Sequence, residues 1–355
     1  MVQITEISVD GYEKVIRGID SETNLDCIIA IHSTKLGPAV GGCRLWSYPN
    51  FDAHLTDALR LSHGMTMKNS LADLDIGGGK AVINCKAENK TPYLLHKFGE
   101  LVNTLGGSYY TAEDVGTAPK DLAEVEKTTS YVSGHDVDLP LNPSPATAFG
   151  VVCGMKTAVD FLNIPSYGLV SRPAPYNSLN GISVNIQGIG NVGWPLMEML
   201  LYRGAQLTIT DINENKLQKA RSLHNVNVVK LEDIFSIPCD IFAPCALGAI
   251  INEETIKSMA GKTKIICGSA NNQLRDTEDD QLVFDAGIIY CPDYLVNAGG
   301  VINIYKEFAQ VDTDFHIANF VDMIGDRLEL VLTRSKSTGI PPGQIADQLA
   351  MKRLA

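Results

Sequence analysis

The first clear pattern along the chain is helical and covers residues 52–71. Its apolar positions recur near the 3.6-residue period of a helix that packs on one face, and they are Leu55, Ala58, Leu59, Met65 and Leu71. Lys68 is therefore predicted near the end of this helix. Its apolar surroundings raise a question, because the charge of a lysine is costly to remove from water.

A second lysine, Lys80, follows three glycines in the stretch DIGGGKAVI, residues 75–83. We interpret the glycines as a turn that leads into a strand with Lys80 at its start. Farther along, the aromatic run SYYT is strand-like, and Asp114 follows it at the predicted strand end. The first part of the chain thus mixes strand-like and helical runs.

The second half of the chain alternates between strand and helix patterns. From Gly181, ISVNIQ predicts a buried strand, GIGNVG a turn, and NVGWPLMEMLLYRG a helix that ends at Gly204. AQLTITD predicts the next strand, which ends at Asp211, and further strand and helix runs continue to about residue 295. This alternation favours a doubly wound parallel sheet.

Composition narrows the class of protein. A chain of 355 residues can form two hydrophobic cores. Its formal charge of −12 argues against a nucleic-acid or membrane partner, because both reward positive charge. The N-terminus lacks a secretory signal, and no apolar run approaches the roughly 20 residues of a membrane span. The eight cysteines never form a CxxC pair, so we expect reduced thiols, no metal site and a cytoplasmic location.

The stretch 188–193, GIGNVG, matches the dinucleotide-binding pattern G-x-G-x-x-G, and it has the strand before it and the helix after it that the pattern requires. In this interpretation Gly188 permits the turn, Gly190 lets the backbone approach the pyrophosphate, and Gly193 allows close packing of helix and strand. Asp211 favours NAD, because a carboxylate there binds ribose hydroxyls and repels a 2′-phosphate. Lys216 leaves NADP as an alternative.

The two lysines have several interpretations. A phosphate-binding P-loop is excluded, because the first glycine of its pattern is absent and Ala81 replaces the required hydroxyl. Extension of both lysines into solvent is the ordinary arrangement. The glycines beside Lys80, however, suggest close approach by another molecule. A desolvated lysine can serve as a base, a charged one can hold a carboxylate, and Asp114 could carry protons.

The chain resembles the glutamate/leucine/phenylalanine/valine dehydrogenase family, and most closely its leucine dehydrogenases. The resemblance rests on motifs that occur in family order over roughly residues 27–305. They are HSTKLGPAVGGCR, DALRLSHGMTMKNS, GGGKAVI, TAEDVGT, NPSPATAFGV, QGIGNVG, TDIN, CDIFAPCALGA, GSANNQL and PDYLVNAGGVIN.

The resemblance implies NAD-dependent, reversible oxidative deamination of an L-amino acid to a 2-oxo acid and ammonia. Lys68 would hold the substrate carboxylate with help from Gly41 and Gly42, Lys80 would activate water, and Asp114 would transfer protons. Asn271 would help to place substrate and nicotinamide. The motif and the resemblance together assign the cofactor site to Gly188, Gly190, Asn191, Val192, Gly193, Asp211, Ile212, Cys245, Ala246 and Asn271.

The resemblance also places the substrate side chain against Val40, Met65, Val301 and Ile304. Val40 and Ile304 are aliphatic where the glutamate enzymes are polar, and an unpaired buried carboxylate would cost several kcal/mol, so glutamate is disfavoured. One methylene is worth only about 1–3 kcal/mol, so discrimination among apolar side chains is harder. We expect leucine, valine or isoleucine, and phenylalanine or tryptophan remain alternatives. A non-catalytic NAD-binding regulator is the alternative of another class.

The predicted fold class is α/β with two domains separated by an active-site cleft. Residues 1–145 would form a mixed α/β domain for substrate binding and oligomerisation, and residues 146–312 a Rossmann-type NAD-binding domain. Residues 313–355 would form C-terminal helices that pack back on the first domain. The Pro-rich stretch 141–150 is the candidate hinge for domain closure. We expect a homo-oligomer, with dimer and octamer left open.

Overall fold

The computed structural model describes residues 2–133, 143–165, 179–309 and 317–355, without the side chains of residues 306–322. Two compact units make up the chain. Unit 1 comprises Met1–Leu141, Ile304–Gln310 and Ala350–Ala355, and unit 2 comprises Asn142–Asn303 and Val311–Leu349. Within the described part of the chain, no helix is long and apolar enough to cross a membrane.

Unit 1 is built on a six-stranded mixed sheet. Its strands are β1 (Gln3–Glu6), β2 (Lys14–Asp20), β3 (Leu25–Ser33), β4 (Ala39–Trp46), β5 (Gly77–Asn84) and β6 (Tyr109–Glu113), in the spatial order β1-β2-β3-β5-β4-β6. The pairs β1–β2, β2–β3 and β3–β5 are antiparallel, whereas the pairs β5–β4 and β4–β6 are parallel. The helices are α1 (Phe51–Leu71), α2 (Pro92–Asn103) and α3 (Pro119–Glu126).

Helices cover both faces of this sheet. The α2 face buries Leu94, Phe98 and Leu101, and the α1 face packs Ala58 against Val82. β3 is buried on both sides, which explains its nearly continuous apolar sequence, LDCIIAIH.

The predicted helix over residues 52–71 is confirmed as α1. The helix begins where the Asn50 side chain accepts a hydrogen bond from the Ala53 backbone N–H, 2.8 Å away. Lys68 lies in its last turn, as expected. The predicted glycine turn before Lys80 is wrong, because Gly77, Gly78 and Gly79 already belong to β5.

Unit 2 contains a six-stranded sheet whose strands are all parallel. Its strands are β7 (Ser183–Gln187), β8 (Gln206–Thr210), β9 (Val226–Val228), β10 (Cys239–Pro244), β11 (Thr263–Ile266) and β12 (Ile289–Tyr290). The spatial order β9-β8-β7-β10-β11-β12 is that of a doubly wound dinucleotide-binding fold, so the predicted fold class is confirmed. The strand order reverses between β7 and β10, and ligands of such folds bind at that point.

Nine further helices belong to the described residues from 143 onward. They are α4 (Pro143–Phe161), α5 (Gly193–Tyr202), α6 (Glu214–Arg221), α7 (Glu253–Met259), α8 (Asp279–Asp285), α9 (Asp293–Val296), α10 (Gly299–Ala309), α11 (Ile317–Thr338) and α12 (Pro342–Leu354). The predicted boundary at 145/146 falls within α4. The boundary at 312/313 and the first two residues of the candidate hinge lie outside the described residues, so the domain limits remain predictions.

Candidate active site

Two neighbouring parallel strands of unit 1, β4 and β5, carry Val40, Gly41, Gly42 and Lys80. In the register of the sheet, Val40 on β4 lies opposite Gly78 on β5, and Gly42 on β4 lies opposite Ala112 on β6. Asp114 directly follows the last residue of β6, so the prediction that it lies at a strand end is confirmed. Val40 is fully buried.

The space beside each glycine of β5 is filled by other residues of unit 1. A Cβ on Gly77 would lie 2.1 Å from the Ser33 carbonyl oxygen, one on Gly78 would lie 2.1 Å from the Thr66 backbone nitrogen, and one on Gly79 would lie 2.8 Å from the Tyr109 ring. All three distances are too short for real contacts. Our inference that these glycines admit another molecule is therefore wrong, since neighbouring strands and α1 fill the space.

Gly41 and Gly42 on β4 are constrained in the same way. A Cβ on Gly41 would lie 1.8 Å from the Gly79 carbonyl oxygen and 3.3 Å from Cγ of Met65. A Cβ on Gly42 would lie 2.9 Å from Cβ of Asp114. Glycine at these positions lets Met65 and Asp114 come close to the backbone of β4.

Helix α1 carries Met65 and Lys68 three residues apart, so the two share a face. Asn69, next in sequence, donates from Nδ2 to the Gly77 carbonyl oxygen at 2.6 Å, which fixes the end of α1 against the start of β5. Lys68 is half-buried. Unit 1 thus brings together Val40, Gly41, Gly42, Met65, Lys80 and Asp114, and Lys68 lies one helical turn after Met65 on α1.

Lys80 is buried, with 5% of its surface exposed, and its Nζ lies 2.9 Å from Oδ2 of Asp114. Arg44 contacts the same oxygen through Nε at 3.0 Å. Burial alone raises the pKa of Asp114, but the charges of Lys80 and Arg44 outweigh it and lower the pKa to about 2. Asp114 is therefore ionised at neutral pH and held between two cations.

Three side chains near this pair were not predicted from the sequence. Arg44 also reaches Oδ2 of Asp57 on α1 through one of its terminal nitrogens, at 3.1 Å. Tyr48 donates its hydroxyl hydrogen to the same Asp57 oxygen. Arg44 ends the quoted motif HSTKLGPAVGGCR, but nothing local in the sequence indicates its partners.

In unit 2 the chain turns sharply after β7. Gly188 has a φ of +94°, which favours glycine, and the backbone N–H of Ile189 donates to Oδ2 of Asp211 at 2.7 Å. A Cβ on Gly193 would lie 2.0 Å from the Gly188 carbonyl oxygen, so this position requires glycine for close packing. A Cβ on Gly190 would meet no atom within 4 Å. Packing within the protein therefore does not require glycine at 190, and the approach of a pyrophosphate to this backbone remains the predicted reason for it.

Asp211 is fixed by two backbone groups. Besides Ile189, the N–H of Asn213 donates to its other oxygen, Oδ1, at 2.7 Å. Ile212 beside it is 92% exposed. Lys216, which left NADP open, lies in the first turn of α6, where its backbone N–H donates to the Asn213 side chain. Asn191 is exposed and Val192 half-buried at the start of α5.

The remaining cofactor residues lie beyond the neighbouring strands. The Cys245 N–H donates to the Gln187 carbonyl oxygen at 2.8 Å, and Ala246 lies against Gly188. The exposed Asn271 accepts at Oδ1 a hydrogen bond from Nδ2 of Asn297 at 2.9 Å. Strand, glycine loop, helix and acidic residue together define a dinucleotide-binding unit.

The two other residues predicted against the substrate side chain lie on α10. Val301 is buried and Ile304 half-buried, and their spacing of three residues puts them on one face of the helix. Val301 belongs to unit 2 and Ile304 to unit 1.

Comparison with known proteins identifies the family. Residues 14–131 match the Glu/Leu/Phe/Val dehydrogenase dimerisation domain, and residues 207–319 match the Glutamate/Leucine/Phenylalanine/Valine dehydrogenase domain. Leucine dehydrogenase of Bacillus subtilis is 42% identical over 346 residues, which cover 97% of this chain and 91% of that protein. Phenylalanine dehydrogenase of Lysinibacillus sphaericus is 42% identical over 307 residues, covering 84% of this chain and 77% of that protein.

Among solved structures, the crystal structure of L-tryptophan dehydrogenase from Nostoc punctiforme matches with a TM-score of 0.80 at 38% identity, over 97% of this chain and 96% of that one. The chain therefore belongs to the Glu/Leu/Phe/Val dehydrogenase family, as the motifs predicted. It is an amino acid dehydrogenase, and members of this family are NAD(P)-dependent oxidoreductases.

Proposed function

We propose that the protein catalyses the NAD-dependent, reversible oxidative deamination of a branched-chain L-amino acid, with L-leucine preferred and valine and isoleucine accepted. The observation that carries this proposal is the ion pair between the buried Lys80, within β5, and Asp114, directly after β6, whose charged atoms lie 2.9 Å apart. A buried lysine beside an ionised carboxylate can move protons without a metal ion.

Three charged residues of unit 1 have roles in this proposal. Lys68 binds the substrate carboxylate, assisted by the backbone of Gly41 and Gly42. Asp114 transfers protons to and from the amino group, and Lys80 activates the water that attacks the imine carbon. The products are the 2-oxo acid and ammonia, and the reverse reaction is reductive amination.

Unit 2 binds the dinucleotide. When bound, the dinucleotide would supply the acceptor for the hydride that leaves the substrate Cα. The loop Gly188–Gly193 and the start of α5 bind the pyrophosphate, and Asp211 binds the ribose hydroxyls. Ile212, Cys245 and Ala246 line the same site, and Asn271 helps to place substrate and nicotinamide. Asp211 supports NAD rather than NADP, because its backbone hydrogen bonds hold a negative charge where a 2′-phosphate would lie.

Two observations support a branched aliphatic substrate. The relatives named leucine dehydrogenase are about as similar to this chain along its whole length as any we compared. Val40, Met65, Val301 and Ile304 offer only apolar surface, so a polar distal group would be buried without a partner. The phenylalanine and tryptophan dehydrogenases among the relatives make an aromatic substrate the second candidate.

Self-association forms part of the proposal. The family model that matches residues 14–131 describes a dimerisation domain. We propose a homo-oligomer built through unit 1, and light scattering of the purified protein measures its size.

The test is NAD(P)H formation with L-leucine, L-valine, L-isoleucine, L-phenylalanine, L-tryptophan and L-glutamate, each with NAD and with NADP. Lys80→Ala is expected to lower kcat by about 10²–10⁴-fold, the usual contribution of an acid–base group. Lys97→Ala is the matched control, because Lys97 forms an ion pair with Glu100 on α2, away from these strands.

Turnover of branched aliphatic substrates with NAD that is lost only in Lys80→Ala supports the proposal. Turnover restricted to aromatic substrates would keep the reaction and replace the substrate. Equal activity of Lys80→Ala and Lys97→Ala would exclude Lys80 as the base. No turnover with any substrate, in either direction, would leave only an NAD-binding regulator.

A further inference from the structure

Arg44 sits at the centre of a chain of alternating charges in unit 1. Its Nε contacts Oδ2 of Asp114 at 3.0 Å, and a terminal nitrogen contacts Oδ2 of Asp57 at 3.1 Å. The sequence of contacts is Lys80, Asp114, Arg44, Asp57, Tyr48. Two cations and two carboxylates balance, so the cluster carries no net charge when all four are ionised.

Both cations approach the same oxygen of Asp114. Lys80 and Arg44 lie within 3.0 Å of Oδ2, and within the described part of the chain no hydrogen bond reaches Oδ1. The backbone of Asp114 is also fixed, because its N–H donates to Oγ1 of Thr117 at 3.0 Å. The carboxylate is thus held through one oxygen, and the other is left for a ligand.

We propose that Arg44 is a positioning residue, which holds Asp114 by Oδ2 so that Oδ1 faces the amino group of the substrate. The inference rests on the proposed function, because it assumes that Asp114 transfers protons there. Arg44 touches neither substrate nor cofactor in this arrangement. It acts through Asp114 alone.

The choice of arginine has a physical reason. As the base, Lys80 gives up and regains a proton in each turnover, so it is positively charged beside Asp114 during only part of the cycle. Arginine keeps its charge at any pH at which proteins are folded. Arg44 therefore keeps one cation on Asp114 throughout the cycle, and the carboxylate stays ionised and ready to accept a proton from the substrate amine.

Asp57 and Tyr48 hold Arg44 in turn. Arginine presents donors in a fixed plane, so one side chain can serve Asp114 with Nε and Asp57 with a terminal nitrogen. Burial and the neighbouring Asp57 raise the pKa of Tyr48 well above its ordinary value, so the tyrosine remains a hydrogen-bond donor to Asp57. A lysine at position 44 could keep the charge but not both contacts.

The groups that titrate or carry charge around Asp114 come from five segments. They are Lys80 on β5, Arg44 and Cys43 on β4, Asp57 on α1, Tyr48 in the loop before α1, and Glu113 on β6. Of these, Lys80 and Arg44 favour the ionised carboxylate, and Arg44 does so without itself losing a proton.

The experiment compares Arg44→Gln and Arg44→Lys with the wild-type enzyme in deamination of the best substrate across pH 4–10. An opposite charge nearby lowers an aspartate pKa by about 1–3 units, so in Arg44→Gln the pKa of Asp114 is expected to rise from about 2 by up to that amount, and kcat should fall at the acid end of the profile where the wild type keeps its activity. We expect kcat to fall by about 10–100-fold, with KM for the amino acid nearly unchanged. Arg44→Lys should keep the acid limb near its wild-type position.

Arg17→Gln is the matched control. Arg17 forms a two-point ion pair with Asp26 between β2 and β3 of the same sheet, at similar exposure, and has no link to Asp114. A purely structural role for Arg44 predicts that both glutamine variants lose thermal stability and that neither changes the pH profile. That outcome would overturn the inference.

Further variants distinguish a failure to fold from a failure of the inference, and Lys80→Ala tests the proposed function separately. If Arg44→Gln does not fold, the single variants Arg44→Lys and Asp57→Asn test whether Arg44 positions Asp114. Asp57→Asn removes one of the two contacts that hold Arg44, so it should lower kcat without raising KM. An unchanged kcat in both would refute the inference. Activity that persists in Lys80→Ala would instead refute the proposed function, whatever the Arg44 variants do.

Discussion

The backbone of Thr66 on α1 lies directly against Gly78 on β5. A Cβ added at Gly78 would come within 2.1 Å of the Thr66 nitrogen and 2.4 Å of its Cα. Because both partners are backbone, neither can rotate away. We expect Gly78→Ala to lower the free energy of unfolding by about 3 kcal/mol or more, measured by chemical denaturation. Activity should fall with it, since Lys68 and Lys80 flank this contact.

Gly64→Ala on the same helix is the control for this substitution. A Cβ at Gly64 would meet nothing within 4 Å. Alanine is a better helix former than glycine, so this variant should gain up to about 1 kcal/mol of stability. If the two variants were equally stable, the close approach of α1 to β5 would not be a determinant of the fold.

Arg353 holds the loop between α1 and β5. Its guanidinium donates to the Leu74 carbonyl oxygen at 2.6 Å and contacts the carboxylates of Asp73 and Asp75 at 3.1 and 2.6 Å. Arg353→Ala should loosen this loop and raise KM for the amino acid more than KM for NAD, because Lys68 and Lys80 lie on either side of the loop. Such a partly exposed set of contacts should contribute about 1–2 kcal/mol to stability.

Steady-state kinetics with each substrate varied in turn measures this effect. Lys352→Ala is the control, because Lys352 is the exposed neighbour of Arg353. Equal rises in both KM values, or no difference between the two variants, would argue against a role for this loop in substrate binding.

Asp280 in unit 2 makes stability depend on pH. Its carboxylate accepts hydrogen bonds from the backbone N–H groups of Gly343 and Gln344 at the start of α12. Burial, with a smaller contribution from Asp347, raises the pKa of Asp280 to about 6, against an ordinary value of 3.8. The folded state therefore favours the protonated form of Asp280. The resulting contribution to the free energy of unfolding is fully present below pH 4 and is lost as pH rises through 6.

The corresponding prediction concerns Asp280→Asn, whose amide stays neutral. A shift of about two units corresponds to about 3 kcal/mol, so between pH 4 and pH 7 the stability of wild type should fall relative to the variant by up to that amount. Denaturation at both pH values measures it. Asp285→Asn, at an exposed position on the same helix, should show no such difference.

Asp211 should control the choice of dinucleotide. Asp211→Asn removes the negative charge but keeps an oxygen that can accept the Ile189 N–H. Because like charges brought together cost a few kcal/mol, we expect the ratio of kcat/KM for NAD to that for NADP to fall about tenfold or more. Asp233→Asn, at an exposed position in the same unit, should leave the ratio unchanged. An unchanged ratio in Asp211→Asn would show that other groups select the cofactor.

Much of this architecture follows from local patterns in the sequence. The apolar period predicted α1 and placed Lys68 near its end, and the strand–glycine–helix pattern predicted the loop after β7. Asp114 after an aromatic run was found at a strand end for the same reason. Each of these features is determined by residues close in sequence, so a periodic pattern suffices to predict them.

The features that were missed depend on distant residues. The glycines of β5 lie in a strand because Ser33, Thr66 and Tyr109 occupy the space beside them, and no local pattern indicates those neighbours. Arg44 meets Asp114, 70 positions away, only because β4 and β6 pair in one particular register. Contacts of this kind become visible once the strand order is known.

The packed glycines of β4 and β5 also limit how such an enzyme can acquire a new substrate. A side chain at any of four glycines would displace backbone or a buried ring; these are Gly41, Gly42, Gly78 and Gly79. Substitutions there should therefore be selected against whatever the substrate. Adaptation, natural or in the laboratory, is then confined to the positions that already carry side chains. A library for altered specificity should therefore vary Val40, Met65, Val301 and Ile304, the residues that we propose against the substrate side chain, and leave the glycine positions unchanged.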